Sequence, residues 1–174
     1  MNNLDQLRFP IGRYIPPASI SELQIQNWID EIEQLPSLLR QATINLPETV
    51  LNKPYRPGGW TLRQVVHHLA DSHMNSYIRF KLAVTEDNPT IRPYFEDRWA
   101  ECFDSREGNI ELSLNLLEDL HKRWVLFLRS MSAEDWDKTF YHPESKRSTA
   151  LAEVAGLYAW HGNHHLNHIL MSLK

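Results

Sequence analysis

Nine histidines stand among 174 residues, and seven of them fall in two short windows: His67, His68 and His73, then His161, His164, His165 and His168. Imidazole titrates near neutrality and is the commonest metal ligand, so such clustering points to metal or proton chemistry. His161 and His165 stand at i and i+4, neighbours on one helix face. That spacing lets two imidazoles reach one metal ion. At about 100° per residue, Val154, Leu157, His161, His165 and His168 share one arc of a helix. The arc is apolar in its first half, so its imidazole half also faces a core. Buried imidazoles without partners cost free energy, and a metal ion satisfies them.

Two ligands leave a site incomplete. His68 adjoins the Val65, Leu69 and Ser72 face of its own helix and is the first choice as third ligand, though a spectator role is equally open to it. His67 points about 100° away and is the weaker choice. Three neutral imidazoles suit zinc, nickel, cobalt or iron, and the spacing does not choose among them. Three protein ligands leave open positions for water or substrate, as catalytic sites do. His73, His164 and His168 read as supporting or surface groups, and His121 and His142 as ordinary. No catalytic residue is fixed beyond the metal set. Asp71, one turn from His68, is a weak candidate for a base or a hydrogen-bond acceptor. Cys102 has no neighbouring histidine to activate it. Tyr94, Phe95, Trp99 and Phe140-Tyr141-His142 either wall a pocket or fill a core.

Four helical patterns must carry these groups, and they predict an all-α four-helix bundle in a single domain over 1–174. The first runs from an N-cap at Ser21, with Gln24 completing a capping box, through Ile25, Trp28, Ile29, Ile32, Leu35, Leu39 and Ala42 to Leu46. Pro36 lies inside it and should kink it. The second starts at a Thr61–Gln64 capping box and runs to about Val84. The third spans about Ile110 to Ser130, and the fourth starts after Ser148 or Thr149 and continues to the chain end. Residues 1–18 read as an extended arm, 47–60 and 132–147 as loops, and 87–109 as a long crossover between helices two and three. No sustained period-two alternation is present, so a sheet is not expected.

Composition narrows the partners. Net charge is −4, which argues against nucleic acid. No apolar run reaches the roughly 18–20 residues of a membrane span, and the start, MNNLDQLRFP, carries no secretion signal, so a cytoplasmic location is expected. One cysteine excludes an internal disulfide framework.

The runs WTLRQVVHHLADSHMN (60–75) and WHGNHHLNHI (160–169) resemble the DinB-like superfamily, more narrowly the YfiT-type metal-dependent hydrolases of bacilli. The likeness extends to Phe9-Pro10-Ile11-Gly12, Pro54-Tyr55-Arg56 and Phe140-Tyr141-His142-Pro143. It implies a four-helix bundle with a long crossover, a homodimer, and one divalent ion per chain held by His68, His161 and His165. It also implies metal-dependent hydrolysis of a small molecule. The alternative is S-transfer of a low-molecular-weight thiol of the bacillithiol type onto an electrophile. A third reading is a bundle that the metal only stabilises. A divalent ion serves either enzyme, because it acidifies water or a thiol alike. With one poorly placed cysteine, a reacting thiol would have to arrive with the cosubstrate.

Overall fold

The chain is seen in a computed structural model that describes residues 3–173; residues 1, 2 and 174, the outermost parts of the expected arm and last helix, lie outside the description. Its elements are α1 (Asn3–Arg8), α2 (Glu22–Thr43), α3 (Glu48–Leu51), α4 (Leu62–Thr85), α5 (Glu96–Ala100), α6 (Phe103–Glu107), α7 (Ile110–Arg129), α8 (Ala133–Asp137), β1 (Thr139–His142), β2 (Arg147–Ala150) and α9 (Leu151–Ser172). The four long helices are α2, α4, α7 and α9, as the periodicity predicts.

Their starts follow from side-chain caps. Thr61 and Gln64 close the full reciprocal box at α4, whereas at α2 only half of it forms, with Ser21 accepting from the Gln24 amide. α2 continues through Pro36 but stops at Thr43, short of Leu46, the residue that Pro47 disfavours in helical backbone. α9 begins at Leu151 without a side-chain cap, since Ser148 and Thr149 belong to β2.

Cross-helix pairs fix the directions. Arg63, His67, His73 and Phe80 of α4 meet Gly108, Ser113, His121 and Trp124 in rising order, so α4 and α7 run parallel. The connection between them therefore travels the length of the bundle, the crossover expected from its length. Glu31 of α2 meets Asn163, and Trp28 and Leu35 meet Gly156 and Gly162, so α2 and α9 are parallel too. Arg40 pairs with Glu111 and Asp30 with Arg129, which sets α2 against α7. Ser72 meets Tyr158 and His68 meets His161, which sets α4 against α9. The order is up-down-down-up. Gly156 and Gly162 let α2 approach closely: a Cβ at Gly162 would stand 2.5 Å from a Leu35 methyl.

Three expectations are corrected. The 1–18 arm is helical over Asn3–Arg8, where Asp5 and Arg8 sit at the ends that the helix dipole favours. The loops contain α3, α5, α6 and α8. A two-stranded antiparallel hairpin, Thr139–His142 against Arg147–Ala150, stands where no sheet was expected; four residues per strand are too few to show alternation. No helix among the described residues is long and apolar enough to cross a membrane.

Two apolar cores fill the bundle. One gathers Ile25, Ile29, Ile32, Phe80, Trp124 and Leu151, and the other Leu39, Leu62, Val66, Leu69, Leu117 and Ile169. His73 of α4, His121 of α7 and His161, His164 and His165 of α9 lie between them in sequence along each helix, while His67, His68 and His168 stand among the residues of the second core.

Candidate metal centre

His68 of α4 faces α9, and its Nε2 stands 3.3 Å from Nε2 of His161. His165 completes the group: one ring nitrogen from each of the three lies within 4.8 Å of the others. His68 and His165 are buried, while His161 is half-buried and opens on a cavity of about 370 Å³. Trp60 packs over the pair, its ring 4.6 Å from His68 and 6.3 Å from His165.

Electrostatics keep these rings neutral. Burial pushes His68 down to about 4. It holds His161 and His165 well below the ordinary value, with a smaller contribution from neighbouring imidazoles that would repel a second positive charge. A neutral imidazole keeps a lone pair for a cation. Two nitrogens at the roughly 2.0–2.1 Å typical of zinc in a tetrahedral shell stand about 3.3 Å apart, which matches the His68–His161 separation. The donor set fits a divalent metal ion.

The other histidines are more involved than their spacing suggests. His73 is fully buried, with Nε2 3.3 Å from Nδ1 of His161 and Nδ1 2.9 Å from Nε2 of His121. His121, read as ordinary, is buried and donates from Nδ1 to the Ile32 carbonyl at 2.6 Å. His168 lies 3.4 Å from Nδ1 of His165 and reaches the Arg8 carbonyl with Nε2 at 3.2 Å. His164 stacks on Trp160 with ring centres 4.5 Å apart. His67 turns away, to Ser113 and the Gly108 carbonyl. His142, also read as ordinary, lines the cavity beside Tyr94, Arg79 and Tyr158. The His73–His121 and His73–His161 contacts join different helices, so only the bundle register could reveal them.

Two positions move out of the site. Leu157 faces outward, and Tyr158 takes its place on the cavity. Asp71 does not line the cavity; burial, then the charge of Asp104 on α6, raises its carboxyl to about 6. The carboxylates on the cavity are Glu96 and Glu144, both exposed. Cys102 is exposed and lies outside the cavity lining.

Fold and site together define a four-helix-bundle protein whose interior offers three converging imidazoles to a metal ion. The chain belongs to the DinB superfamily, which it matches over residues 31–169. Proteins of Bacillus cereus (strain 03BB102) and Bacillus thuringiensis subsp. konkukian (strain 97-27), each named as a candidate metal-dependent hydrolase, are 56% identical to it over 166 residues, 95% of either chain. The solved structure of YfiT from Bacillus subtilis, described as a candidate metal-dependent hydrolase with an unusual four-helix bundle topology, is similar at a TM-score of 0.94. That match has 49% identity and covers 96% of this chain and 95% of the other. The mycothiol-dependent maleylpyruvate isomerase shares the fold alone: TM-score 0.61, 16% identity, 80% of this chain and 60% of that one.

Proposed function

We propose that the protein is a metal-dependent hydrolase of a small molecule, with one divalent ion held by His68, His161 and His165. The observation that carries this reading is the convergence of three neutral ring nitrogens within 4.8 Å at a cavity large enough for a small substrate. The names of the Bacillus relatives support it. Bound there, a divalent ion supplies Lewis acidity, polarising a substrate oxygen and acidifying water or a thiol. Zinc is the ion proposed first and nickel second.

The protein's own side chains define the rest. Trp60 walls the cavity and holds the His68 and His165 rings in place by contact. Burial raises the Tyr94 phenol, so it stays protonated and able to donate a hydrogen bond to substrate. Arg79 lines the same cavity and forms no ion pair among the described residues, which leaves its charge for an anionic part of a substrate. Glu96 and Glu144 are the carboxylates placed to take a proton there. The homodimer implied by the family resemblance is part of the proposal and is read by light scattering.

The test strips the protein of metal, reloads it with zinc or nickel, and screens ester, amide and phosphate substrates alongside bacillithiol with a model electrophile. Turnover of at least one hydrolytic substrate, restored by metal and lost in His68→Ala, is expected. Metal-dependent thiol conjugation with silent hydrolysis would move the assignment to thiol transfer. Silence in every assay, with unfolding on chelation, would leave a structural metal.

A further inference from the structure

We propose that His73, His121 and His168 are positioning residues. They fix which ring nitrogen His161 and His165 present to the metal, through two imidazole relays that each end on a main-chain carbonyl. The inference rests on the three-histidine metal site and deepens it.

The direction of each relay follows from its end. A carbonyl oxygen only accepts, so His121 Nδ1, 2.6 Å from the Ile32 oxygen, carries the proton. A neutral imidazole has one N–H, which leaves His121 Nε2 as an acceptor. It takes the Nδ1–H of His73 at 2.9 Å. His73 Nε2 is then bare and takes the Nδ1–H of His161 at 3.3 Å. The lone pair of His161 is left on Nε2, the atom that faces His68 Nε2. The second relay obeys the same rule. His168 donates from Nε2 to the Arg8 carbonyl at 3.2 Å, so its Nδ1 accepts from Nδ1 of His165, 3.4 Å away, and His165 is also bare at Nε2.

Packing holds the relay rings. Trp124 packs at right angles against both rings, at 86° to His73 and 89° to His121. A metal-bound histidine commonly donates its other N–H to an acceptor that orients it. Here the acceptors are imidazoles rather than carboxylates, so they would bring no negative charge to the ligands of a bound ion. The relays also tie the site to α1 and α2, which contribute no ligand.

Histidine side chains labelled with ¹⁵N report the tautomers directly in long-range ¹H–¹⁵N spectra of the whole chain, before and after zinc is added. The expected pattern is Nδ1–H on His73, His121, His161 and His165 and Nε2–H on His168, with zinc on the Nε2 atoms. Zinc bound through Nδ1 of His161 or His165, or an Nε2–H on His73 or His121, would overturn the proposal. If zinc fails to bind, the metal reading falls, while the His73, His121 and His168 tautomers still test the relays. In a second arm, His121→Phe should weaken zinc binding by about 10–100-fold, and His121→Gln, whose side-chain oxygen can accept from His73, should restore most of it. A folded His121→Phe protein with unchanged zinc affinity would contradict the relay. If that variant does not fold, the spectra of the unaltered chain decide.

Discussion

His161 of α9 sits between two histidines of α4, with His68 Nε2 3.3 Å from its Nε2 and His73 Nε2 3.3 Å from its Nδ1. Both nitrogens of one ring are thus engaged, one turned to the cavity and one to the interior. His68 and His73 lie five residues apart, so α4 grips the His161 ring from either side. This places a candidate ligand and its support on one rigid element, and it makes the site sensitive to the α4–α9 spacing.

Chelation should destabilise the protein. An ion present at a hundredfold excess over its dissociation constant stabilises the fold by about 2.7 kcal/mol. For a chain of this size that corresponds to roughly 5–10 °C in Tm. Calorimetry of zinc-loaded protein with and without EDTA measures it, and an unchanged Tm would count against a bound ion.

Stability of the metal-free protein should fall with acid. Burial holds His68 and His121 at about 4 in the fold, whereas in the unfolded chain they titrate near 6.5. Between those values the unfolded chain binds more protons, so stability decreases as pH drops from 6.5 towards 4 and is level above 7. Each group contributes up to roughly 3 kcal/mol of that loss. Urea midpoints measured from pH 7.5 to 5.0 should decline, and a flat series would show these rings to be less buried.

Arg63 joins three segments. Its guanidinium donates to the Asn52 side chain at 3.2 Å and the Gly108 carbonyl at 2.5 Å, and pairs with Glu48. The side chain is only 4% exposed. Arg63→Ala takes the guanidinium donors from Asn52 and Glu48, leaves the Gly108 carbonyl to His67 alone, and should cost about 2–3 kcal/mol by urea unfolding. A loss under about 0.5 kcal/mol, the scale of ordinary surface changes, would mean that water replaces it.

Much of this was legible in the sequence because long amphipathic helices write their period plainly. The α2, α4 and α7 starts and the His161–His165 pair follow from local spacing alone. His68 as partner needed the face argument and the family resemblance together. The hairpin was hidden because Thr139–His142 and Arg147–Ala150 are too short to alternate visibly. His121 was hidden for another reason: it is alone on its helix, and its meaning comes only from the parallel register of α4 and α7, which brings it to His73. Leu157 was misplaced because Tyr158, one residue on, turns its half-polar ring to the cavity instead.

The central claim is that His68, His161 and His165 bind one ion. Elemental analysis of the purified protein beside His161→Ala tests it most directly. The account predicts about one equivalent of divalent metal per chain in the unaltered protein and its loss in the variant. Equal metal in both proteins, or none in either after exposure to zinc, would contradict it.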